Sequence, residues 1–441
     1  MSEILISGGS LIDGTGAAPR AADVLLRDDS IVAVGAPGTV AAAAAPDALR
    51  IDATGKTVMP GLIDTHLHCT FDDVQSNDEL FFHREPAMSA LTTAQNLQKI
   101  LRAGVTSFMD PDTAWGIGPS VRDAIDCGVI EGPRMKTGYQ ALLTAVGGTA
   151  GRLIPDEGRA GYAQVVNNTD EIVMWTRRHI KYGADWIKIH ATGSLPTRKG
   201  ELLVWTEDEM KAACDTAHDL GIPVTAHCRS DESTAAAVRA GVDLILHASY
   251  ITEDTVQLLV DSGTPVCPTF TFLANLADYG PKVGAGVGQE DLFRGEIRAT
   301  AKMMRAAYDA GVPMLCGSES GFALTPYGHW HGREMEVFVN ELGLTPLEAI
   351  TCGTKNGAFA VRMHDVGVID VGYRADVLVV DGDPSKDIRL LNDKSKFAHI
   401  ISKGKQVDTS RPWPSHTKIP GSKVANWSEE LLTYERAMTL G

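Results

Sequence analysis

The sequence predicts an α/β protein: a (β/α)8 TIM barrel with a small β-sandwich domain built from both chain ends. Residues 62 to about 360 alternate short apolar strands with amphipathic helices, the pattern of parallel β/α units. The flanking segments are rich in strands, and each is too short to bury a core alone. The length of 441 residues accommodates one barrel of about 250 residues and a smaller partner domain.

The two flanking segments are predicted to form one β-sandwich. Residues 1–59 contain short apolar runs separated by turn residues, and residues 364–408 show the same pattern. The alanine run at 41–45 is expected to be a loop or a short surface helix. Residues 409–441 are a C-terminal extension with a predicted helix at 428–438 and no assignable role.

The central segment, residues 60–363, is predicted to be the barrel. Eight strand candidates begin at residue 62 and continue at 105–109, 134–137, 186–190, 223–227, 244–247, 264–267 and 314–316. Helical stretches lie at 87–103, 171–182, 207–220, 253–260 and 292–310. In such a barrel the functional residues come from the carboxyl ends of the strands.

Charge and composition exclude several classes of protein. The formal net charge of −16 argues against nucleic acid or an anionic membrane as a partner. The first residues lack the basic and long apolar regions of a signal peptide, and no later run approaches the ~18 apolar residues of a membrane span, so neither feature is expected. Its seven cysteines show no Cys-x-x-Cys spacing, which suits reduced thiols. We expect a cytoplasmic protein that acts on a small molecule. We also expect a homo-oligomer, since the C-terminal extension could pack across a neighbouring subunit.

A pair of histidines follows the first barrel strand. His66 and His68 come after a Pro-Gly turn signal and a short apolar run, at the end of a predicted strand. Because side chains two apart on a strand point to the same face, both imidazoles can reach one point in space. Two neutral imidazoles placed in this way can bind a divalent metal. The alternative is a pair of ordinary surface or hydrogen-bonded histidines.

A lysine interrupts the apolar strand at 186–190. Lys188 lies between two isoleucines that would face the helices, so that its own side chain points into the barrel. A lone buried ammonium is costly and must be neutralised, paired or chemically modified. The alternative is a lysine whose ammonium reaches solvent at the strand end.

Three more candidates stand at strand ends. His227 and His247 each close an apolar strand where it meets the active-site face, and Glu319 follows the last strand. A single histidine at a strand end is usually a packing or hydrogen-bonding residue. Four such histidines on three strands, with a lysine on a fourth, are difficult to explain by packing.

Together these motifs resemble the amidohydrolase superfamily, the urease-like metal-dependent hydrolases. The resemblance extends from Pro-Gly-Leu-Ile-Asp-x-His-x-His at 60–68, through the Ile-Lys-Ile strand and the two histidine strands, to the stretch at 372–384. Within the superfamily, the chain is most similar to the imidazolonepropionase-like prolidases and the related phenylurea and carbamate hydrolases.

The resemblance implies a binuclear metal centre. His66 and His68 would bind one metal. His227 and His247 would bind the other, and Lys188, carboxylated by carbon dioxide, would bridge both metals as a carbamate. The two divalent ions are expected to be Zn, with Mn or Co as alternatives. A hydroxide held between them would be the nucleophile at neutral pH.

Tyr250 and Glu319 are the catalytic residues that the resemblance implies. Tyr250 matches a tyrosine that hydrogen-bonds the oxyanion of the tetrahedral intermediate in prolidase-like members. Glu319 stands where the family usually has aspartate. It is the acidic candidate for binding a metal and for moving the proton to the leaving nitrogen. The alternative is a glutamate turned away to pair with Arg333.

Three further residues are candidate substrate contacts. Thr149 follows a Gly-Gly pair, where prolidase-like members tend to have histidine, and this departure predicts a substrate other than a dipeptide. Arg229 could pair with a substrate carboxylate or form a salt bridge with Asp231 or Glu232. His331 could contact substrate from the loop after the eighth strand, or it could be a structural plug.

The predicted activity is hydrolysis of an amide, carbamate or urea C–N bond of a small molecule. The alternatives are an Xaa-Pro dipeptidase or N-acyl amino acid hydrolase, a deaminase of the same superfamily, and a catalytically silent relative that acts as a scaffold. Lys188 argues against the deaminase, because mononuclear deaminases generally lack a bridging lysine. The intact set of candidate ligands argues against the scaffold.

Overall fold

The computed structural model describes residues 2–76, 85–148, 161–193, 200–286, 288–416 and 428–440. The predicted substrate contact Thr149 lies outside the described residues. No helix in the described ranges is long and apolar enough to cross a membrane.

The strands lie in residues 3–267 and 377–406 of the described chain. They are β1 (Glu3–Leu11), β2 (Arg20–Arg27), β3 (Ser30–Gly35), β4 (Leu49–Asp52), β5 (Thr57–Pro60), β6 (Leu62–Asp64), β7 (Val105–Asp110), β8 (Arg134–Thr137), β9 (Ala141–Leu143), β10 (Ala163–Val165), β11 (Ile187–His190), β12 (Thr192–Gly193), β13 (Leu202–Leu203), β14 (Val224–Cys228), β15 (Leu244–His247), β16 (Val266–Cys267), β17 (Val377–Val380), β18 (Phe397–Ser402) and β19 (Lys405–Gln406).

The α-helices lie mainly between the central strands. They are α1 (Pro86–Leu101), α2 (Gly118–Asp126), α3 (Thr169–Lys181), α4 (Glu207–His218), α5 (Asp231–Ala240), α6 (Glu253–Ser262), α7 (Phe270–Tyr279), α8 (Gln289–Asp309), α9 (Arg333–Glu341), α10 (Pro346–Cys352) and α11 (Tyr434–Leu440). The five helices predicted for the central segment are present, with ends displaced by at most three residues. Capping explains some of these limits: Thr206 and Thr345 each form a capping box at the start of α4 and α10.

The chain ends meet in one sheet, in the order β19-β18-β17-β5-β1-β2-β3 with β4 beside β1. β5 joins the two ends, because it pairs parallel with β1 and antiparallel with β17. Val58 therefore lies opposite Val379. These residues are buried in one cluster with Ile6, Val24 and Ile401, which come from both ends of the chain.

The middle of the chain forms parallel strands between helices. β6, β7 and β8 pair in one sheet, and β10-β9-β11-β14-β15-β16 pair in another. In this second sheet His190 lies opposite His227, and Cys228 lies opposite His247. The predicted α/β class is confirmed, and the carboxyl ends of neighbouring strands bring the candidate residues side by side.

The last predicted strand, 314–316, is not a regular strand. Met314 forms a single parallel bridge to Val266, and Cys316 C=O accepts a hydrogen bond of 2.9 Å from Thr65 N–H. A proline precedes the segment and lacks the N–H that a continuous ladder requires. The segment nevertheless connects β16 to the residues that follow β6.

The C-terminal extension packs against its own chain. Leu432 is buried, its N–H donates to Ala323 C=O (2.9 Å), and its C=O accepts from Trp330 Nε1–H (2.7 Å). Because these backbone groups bond to the loop before α9, they are not free to continue a helix. The helix predicted from residue 428 therefore begins only at Tyr434.

Candidate metal centre

His66 and His68 follow β6 and line one cavity. Backbone hydrogen bonds hold this stretch in place, since His68 N–H donates to Ser320 C=O at 2.8 Å. The two imidazole centroids are 5.2 Å apart. His66 and His68 are 0% and 5% exposed, so both rings are taken out of water.

The tautomer of His66 follows from its neighbour Thr269. Thr269 Oγ1 lies 3.0 Å from His66 Nδ1, and the hydroxyl donates its own hydrogen to Cys267 C=O (3.2 Å). Nδ1 therefore carries the ring hydrogen, and Nε2 carries a lone pair. Nε2 is buried and has no hydrogen-bond partner among the described residues. Burial and the charge of Lys188 hold the pKa of His66 well below its usual range, which keeps this lone pair available.

His227 and His247 close β14 and β15 beside the first pair. Their ring centroids are 4.4 Å apart, and the His247 ring is 5.3 Å from that of His66. His227 Nε2 lies 2.8 Å from Glu201 Oε2, so Nε2–H donates to the carboxylate and the lone pair is on Nδ1. His247 Nε2 is buried without a hydrogen-bond partner in the described part of the chain. Burial and the charge of His227 hold the pKa of His247 well below its usual range.

Lys188 lies among these histidines on β11 and is 1% exposed. Burial lowers the pKa of its amine, although the charges of Asp112 and Glu319 oppose this shift. The cavity around it has a volume of about 20 Å³, room for ions or a water molecule rather than a whole substrate. Its lining consists of His66, His68, Phe71, Asp112, Tyr162, Lys188, His190, His227, Glu319 and Phe322.

Glu319 lines the same cavity. It comes from the last part of the segment 60–363, whereas His66 and His68 come from the first. Its N–H donates to His66 C=O (2.6 Å), and its Oε1 lies 4.0 Å from His247 Nε2. Ligand atoms of Glu319, His66 and His68 all lie within 4.8 Å of one another. Burial raises the pKa of Glu319, although the positive charge of His68 opposes this.

Several residues of the site adopt a left-handed backbone. The φ angles are 71° at His247, 60° at Tyr250, 56° at Thr269 and 51° at Glu319. For residues other than glycine this conformation costs about 1–3 kcal/mol each, and it persists only where the surroundings impose it. The strain is concentrated where strand ends turn candidate ligands inward, as is typical of functional sites.

Asp112 is a site residue that the sequence analysis missed. Its Oδ1 lies 2.7 Å from His68 Nδ1, and its Oδ2 lies 3.1 Å from His190 Nε2. The contact with His68 lacks hydrogen-bond alignment, and neither of the two atoms has a hydrogen-bond partner within the described residues. Asp112 Oδ1 and His68 Nδ1 are therefore two buried ligand atoms that could bind the same cation. Burial favours the neutral carboxyl, but the charges of His68 and Lys188 hold the pKa of Asp112 well below its usual range.

Asp110 and His190 were also missed. Asp110 forms a second candidate metal group with His68 and Asp112, and burial raises its pKa to about 7. His190 stacks on His227 with ring centroids 4.8 Å apart. Both aspartates end or follow β7, and His190 ends β11, so the strand-end criterion that identified His227 would have found them.

The sequence model of the amidohydrolase family matches residues 57–407, which include all of these side chains. The chain belongs to the amidohydrolase family. The superfamily resemblance seen in the sequence is confirmed, and with it the prediction of a hydrolytic enzyme.

Known proteins similar to this amidohydrolase fall in the predicted subgroup. Ochratoxinase from Aspergillus niger is 27% identical, over 94% of this chain and 89% of that protein. Its crystal structure has a TM-score of 0.80 at 25% identity and covers 92% of this chain and 95% of that chain. A crystal structure of a Xaa-Pro dipeptidase with bound methionine has a TM-score of 0.79 at 25% identity, with coverages of 92% and 99%. Imidazolonepropionase from Paracoccus denitrificans is 25% identical over 76% of this chain and 82% of that protein.

In this amidohydrolase Arg229 is already paired. Its guanidinium lies 2.7 Å from Glu296 and 3.4 Å from Glu201. Asp231, considered as a partner from the sequence, instead accepts a hydrogen bond from Thr252 N–H (2.7 Å). The alternative considered for Arg229, a salt bridge with Asp231 or Glu232, is correct in kind but names the wrong partners, because Glu201 and Glu296 come from elements distant in sequence. Arg229 is a cation engaged with protein carboxylates.

His331 uses both of its ring nitrogens within the amidohydrolase fold. Nε2 accepts from Gly328 N–H (3.0 Å), and Nδ1–H donates to Asp64 Oδ2 (2.8 Å). This geometry favours the structural alternative for His331. Arg333, the partner considered for Glu319, pairs with Glu336 at 2.7 Å.

Tyr250 is not among the residues that line the cavity. Its N–H donates to Thr300 Oγ1 (3.1 Å), and its ring lies beside Gly200, where a Cβ would be 3.3 Å from Tyr250 Cδ2. Burial raises the pKa of Tyr250 to about 12. Its hydroxyl therefore keeps its hydrogen at neutral pH and can donate a hydrogen bond.

Proposed function

We propose that this amidohydrolase cleaves an amide, carbamate or urea C–N bond of a small molecule with two divalent metal ions. The observation that carries the proposal is a pair of buried ring nitrogens without hydrogen-bond partners, His66 Nε2 and His247 Nε2, beside a buried lysine. Neither nitrogen has a hydrogen-bond partner among the described residues, and such atoms mark metal or catalytic sites. The proposed ligands are His66, His68, Lys188, His227, His247 and Glu319.

The donor set fits Zn, with Mn or Co as alternatives. Imidazole and carboxylate donors suit these metals. Thr269 and Glu201 fix His66 and His227 in tautomers that leave one ring nitrogen for a metal. When bound, such ions would lower the pKa of a water molecule and polarise the scissile carbonyl.

We propose further that Lys188 is carboxylated. Burial favours its neutral amine, whose nitrogen can bond to the carbon of carbon dioxide and release a proton to give a carbamate. The reaction converts a buried amine into an anionic oxygen ligand. It therefore removes the cost of an isolated ammonium in the cavity.

Glu319 and Tyr250 are proposed to manage the charge that develops during hydrolysis. Glu319 would take a proton from the attacking water and deliver it to the leaving nitrogen, a role that its raised pKa favours. Tyr250, which keeps its hydroxyl hydrogen, would donate a hydrogen bond to the oxyanion. Phe71 and Phe322 would exclude bulk water from the cavity that they line.

The aromatic wall of the cavity supports an aryl substrate. Phe71 stacks on His68 with centroids 4.3 Å apart, and Phe322 meets Phe71 edge-on at 5.5 Å. Phe272 extends this surface by contacting Phe322 at 5.3 Å. Arg229 is bound by two glutamates and is a poor partner for a substrate carboxylate. We therefore propose that an aryl or N-acyl amide, carbamate or urea is cleaved better than an Xaa-Pro dipeptide.

The second candidate function is that of an Xaa-Pro dipeptidase or N-acyl amino acid hydrolase. The likeness to ochratoxinase and to a Xaa-Pro dipeptidase favours it. For either function, Thr149 stays a predicted substrate contact.

Metal analysis followed by a substrate panel tests the proposal. We expect about two ions per chain in the purified protein. One ion would favour a deaminase-like site, and none would contradict a metal hydrolase. The panel pairs aryl amides, carbamates and ureas with Xaa-Pro dipeptides, and kcat/KM should be higher for the aryl compounds. A clear preference for Xaa-Pro dipeptides would establish the second candidate.

We also infer how the units of the fold are divided. Residues 60–363 would close into a TIM barrel, residues 1–59 and 364–408 would form the β-sandwich, and 409–441 would be the extension. Backbone hydrogen bonds support closure, since Trp186 N–H donates to Thr137 C=O (3.3 Å) between the two parallel sheets. A crystal structure of the metal-loaded protein tests these limits.

The cellular setting is likewise a proposal. A cytoplasmic homo-oligomer that acts on a small molecule, and not on nucleic acid or a membrane, is consistent with the net charge of −16. Light scattering on the purified protein would measure its oligomeric state.

A further inference from the structure

Glu201 connects a short strand pair to a proposed metal ligand. β12 and β13 pair antiparallel, and Glu201 directly precedes β13. Glu201 Oε2 lies 2.8 Å from His227 Nε2 and accepts a hydrogen bond from Thr192 Oγ1 (2.7 Å). The backbone N–H of Glu201 donates to Arg229 C=O (3.0 Å). Both the side chain and the backbone of Glu201 are thus attached to the end of β14.

Arg229 extends this attachment to a second carboxylate. Its guanidinium contacts Glu201 Oε1 at 3.4 Å and Glu296 Oε2 at 2.7 Å. Glu296, on α8, also accepts a hydrogen bond from Ser249 Oγ (2.7 Å). Ser249 lies two residues after His247. The contacts therefore join the two strand ends that carry the second histidine pair.

The charges of Glu201, Arg229 and Glu296 favour a hydrogen bond from the His227 imidazole to Glu201. Glu201 and Glu296 carry two negative charges against one positive charge on Arg229, and the excess lies beside His227 Nε2–H. The side chains of Glu201, Arg229 and Glu296 are 9%, 18% and 5% exposed, so water cannot easily replace a lost partner. A carboxylate that accepts the second ring hydrogen fixes the tautomer of a metal-binding histidine and raises its basicity.

We propose that Glu201 is a positioning residue for the second metal. Glu201 holds His227 in the tautomer whose Nδ1 lone pair is available, and Arg229 with Glu296 holds Glu201. The proposal rests on the proposed function, since it takes His227 and His247 as metal ligands. It also replaces the substrate-binding role of Arg229 with a positioning role.

Zinc titration of variants tests the proposal. Metal-free Glu201→Gln and Glu201→Ala would be titrated with Zn²⁺ against a competing chromophoric chelator, and with Co²⁺ to follow coordination by its absorption spectrum. We expect one of the two Zn²⁺ steps to weaken by about 10–100-fold and the other to stay unchanged. Glu207→Gln is the matched control, because Glu207 pairs with Arg239 on exposed helices and should leave both steps unchanged.

A double variant separates positioning from direct binding. Arg229→Gln should weaken the same Zn²⁺ step less than Glu201→Gln does. The double variant should be no weaker than Glu201→Gln alone, because Arg229 acts through Glu201. If Glu201→Ala does not fold, Thr192→Val should give a smaller shift of the same step. That substitution removes one hydrogen bond to Glu201 (2.7 Å) and the acceptor of Arg229 N–H (3.3 Å), and it keeps the Glu201 carboxylate.

Each outcome bears on a different claim. Wild-type affinity for both Zn²⁺ ions in Glu201→Ala would overturn the positioning role and leave the proposed function standing. Equal weakening of both steps, with a lower unfolding temperature of the metal-free protein, would show a general structural role and overturn the proposal. A wild-type protein that binds no Zn²⁺ would overturn the proposed function and this inference with it.

Discussion

His66 and His227 show two ways of fixing a candidate ligand in one cavity. His66 donates its ring hydrogen to the neutral hydroxyl of Thr269 at 3.0 Å. His227 donates its ring hydrogen to the carboxylate of Glu201 at 2.8 Å, and Arg229 balances that carboxylate. The first contact has no charged member, whereas the second is part of a buried ionic cluster.

The difference predicts unequal sensitivity to substitution. A hydrogen bond between neutral groups contributes about 0.5–1.5 kcal/mol, and its loss leaves no charge behind. Removal of one member of a buried ionic cluster leaves an uncompensated charge, which costs about 3–5 kcal/mol. The His227 side of the centre should therefore be the more easily damaged half.

Lys188→Ala should have the largest effect, because Lys188 lies between the two halves. Loss of the proposed carbamate removes several kcal/mol of charge stabilisation, and turnover should fall by about 10³-fold or more. Measurement of kcat and metal content checks this, and added formate or acetate should restore part of the activity. Lys181→Ala, at the exposed end of α3, is the control. A structure with a bare Lys188 amine far from well-occupied metals would contradict the carbamate.

Glu319→Gln should come next, since Glu319 contacts both halves of the centre. Its backbone N–H bonds to His66, and its carboxylate lies 4.0 Å from His247 Nε2. Loss of a general base should lower kcat by about 100-fold or more with the fold intact. Glu341→Gln, exposed at the end of α9, is the matched control. Near wild-type turnover with both metals bound would move the proton-transfer role to another group, with Asp112 the next to test.

His179 should make the folded protein less stable below pH 6.5, so the two halves of the centre are best compared above that pH. It is buried between Tyr139 and Trp175, and burial, assisted by the charge of Arg178, lowers its pKa to about 3. Between pH 3 and 6.5 the unfolded chain binds a proton that the folded chain does not, so stability rises with pH and is complete above 6.5. The contribution of His179 to the free energy of unfolding should fall by about 2 kcal/mol from pH 6.5 to 5.

Urea unfolding at each pH measures the free energy of unfolding and hence the contribution of His179. His179→Phe should remove the corresponding slope of stability against pH, whatever its effect on absolute stability. An unchanged slope in the variant would assign the acid sensitivity to other groups.

Thr269→Val should have the smallest effect. The substitution removes the acceptor for His66 Nδ1–H, and we expect one Zn²⁺ step to weaken by about 10-fold. Thr269→Ser keeps the hydroxyl and should bind Zn²⁺ as the wild type does. A loss as large as that of Glu201→Ala would remove the distinction between the neutral and the charged contact.

Short-range periodicity was sufficient to predict where most candidate ligands lie. His66, Lys188 and His227 follow or lie on strands whose apolar pattern is local, and the barrel brings such strand ends together. The same criterion would have added Asp112 and His190. It failed at 314–316, where a preceding proline interrupts the ladder and leaves a single bridge.

The partners that orient the ligands could not be predicted. Glu201 is 26 residues from His227 in sequence, and Glu296 is 67 residues from Arg229. No periodic pattern connects residues so far apart, because these contacts depend on how helices and loops pack over the strands. For the same reason the sequence left His331 open between a substrate contact and a structural residue.

Contacts of the C-terminal extension reach the loop beside Glu319, so loss of the extension should affect turnover. Leu432 is bonded to Ala323 and to Trp330, which is 102 positions earlier in the chain, and Thr325 Oγ1 in the same loop donates to Glu319 C=O (2.9 Å). Cleavage before residue 428 would leave the buried Trp330 indole N–H without its acceptor and release the loop next to Glu319. Removal of residues 428–440 should therefore lower turnover although every proposed metal ligand remains in the chain.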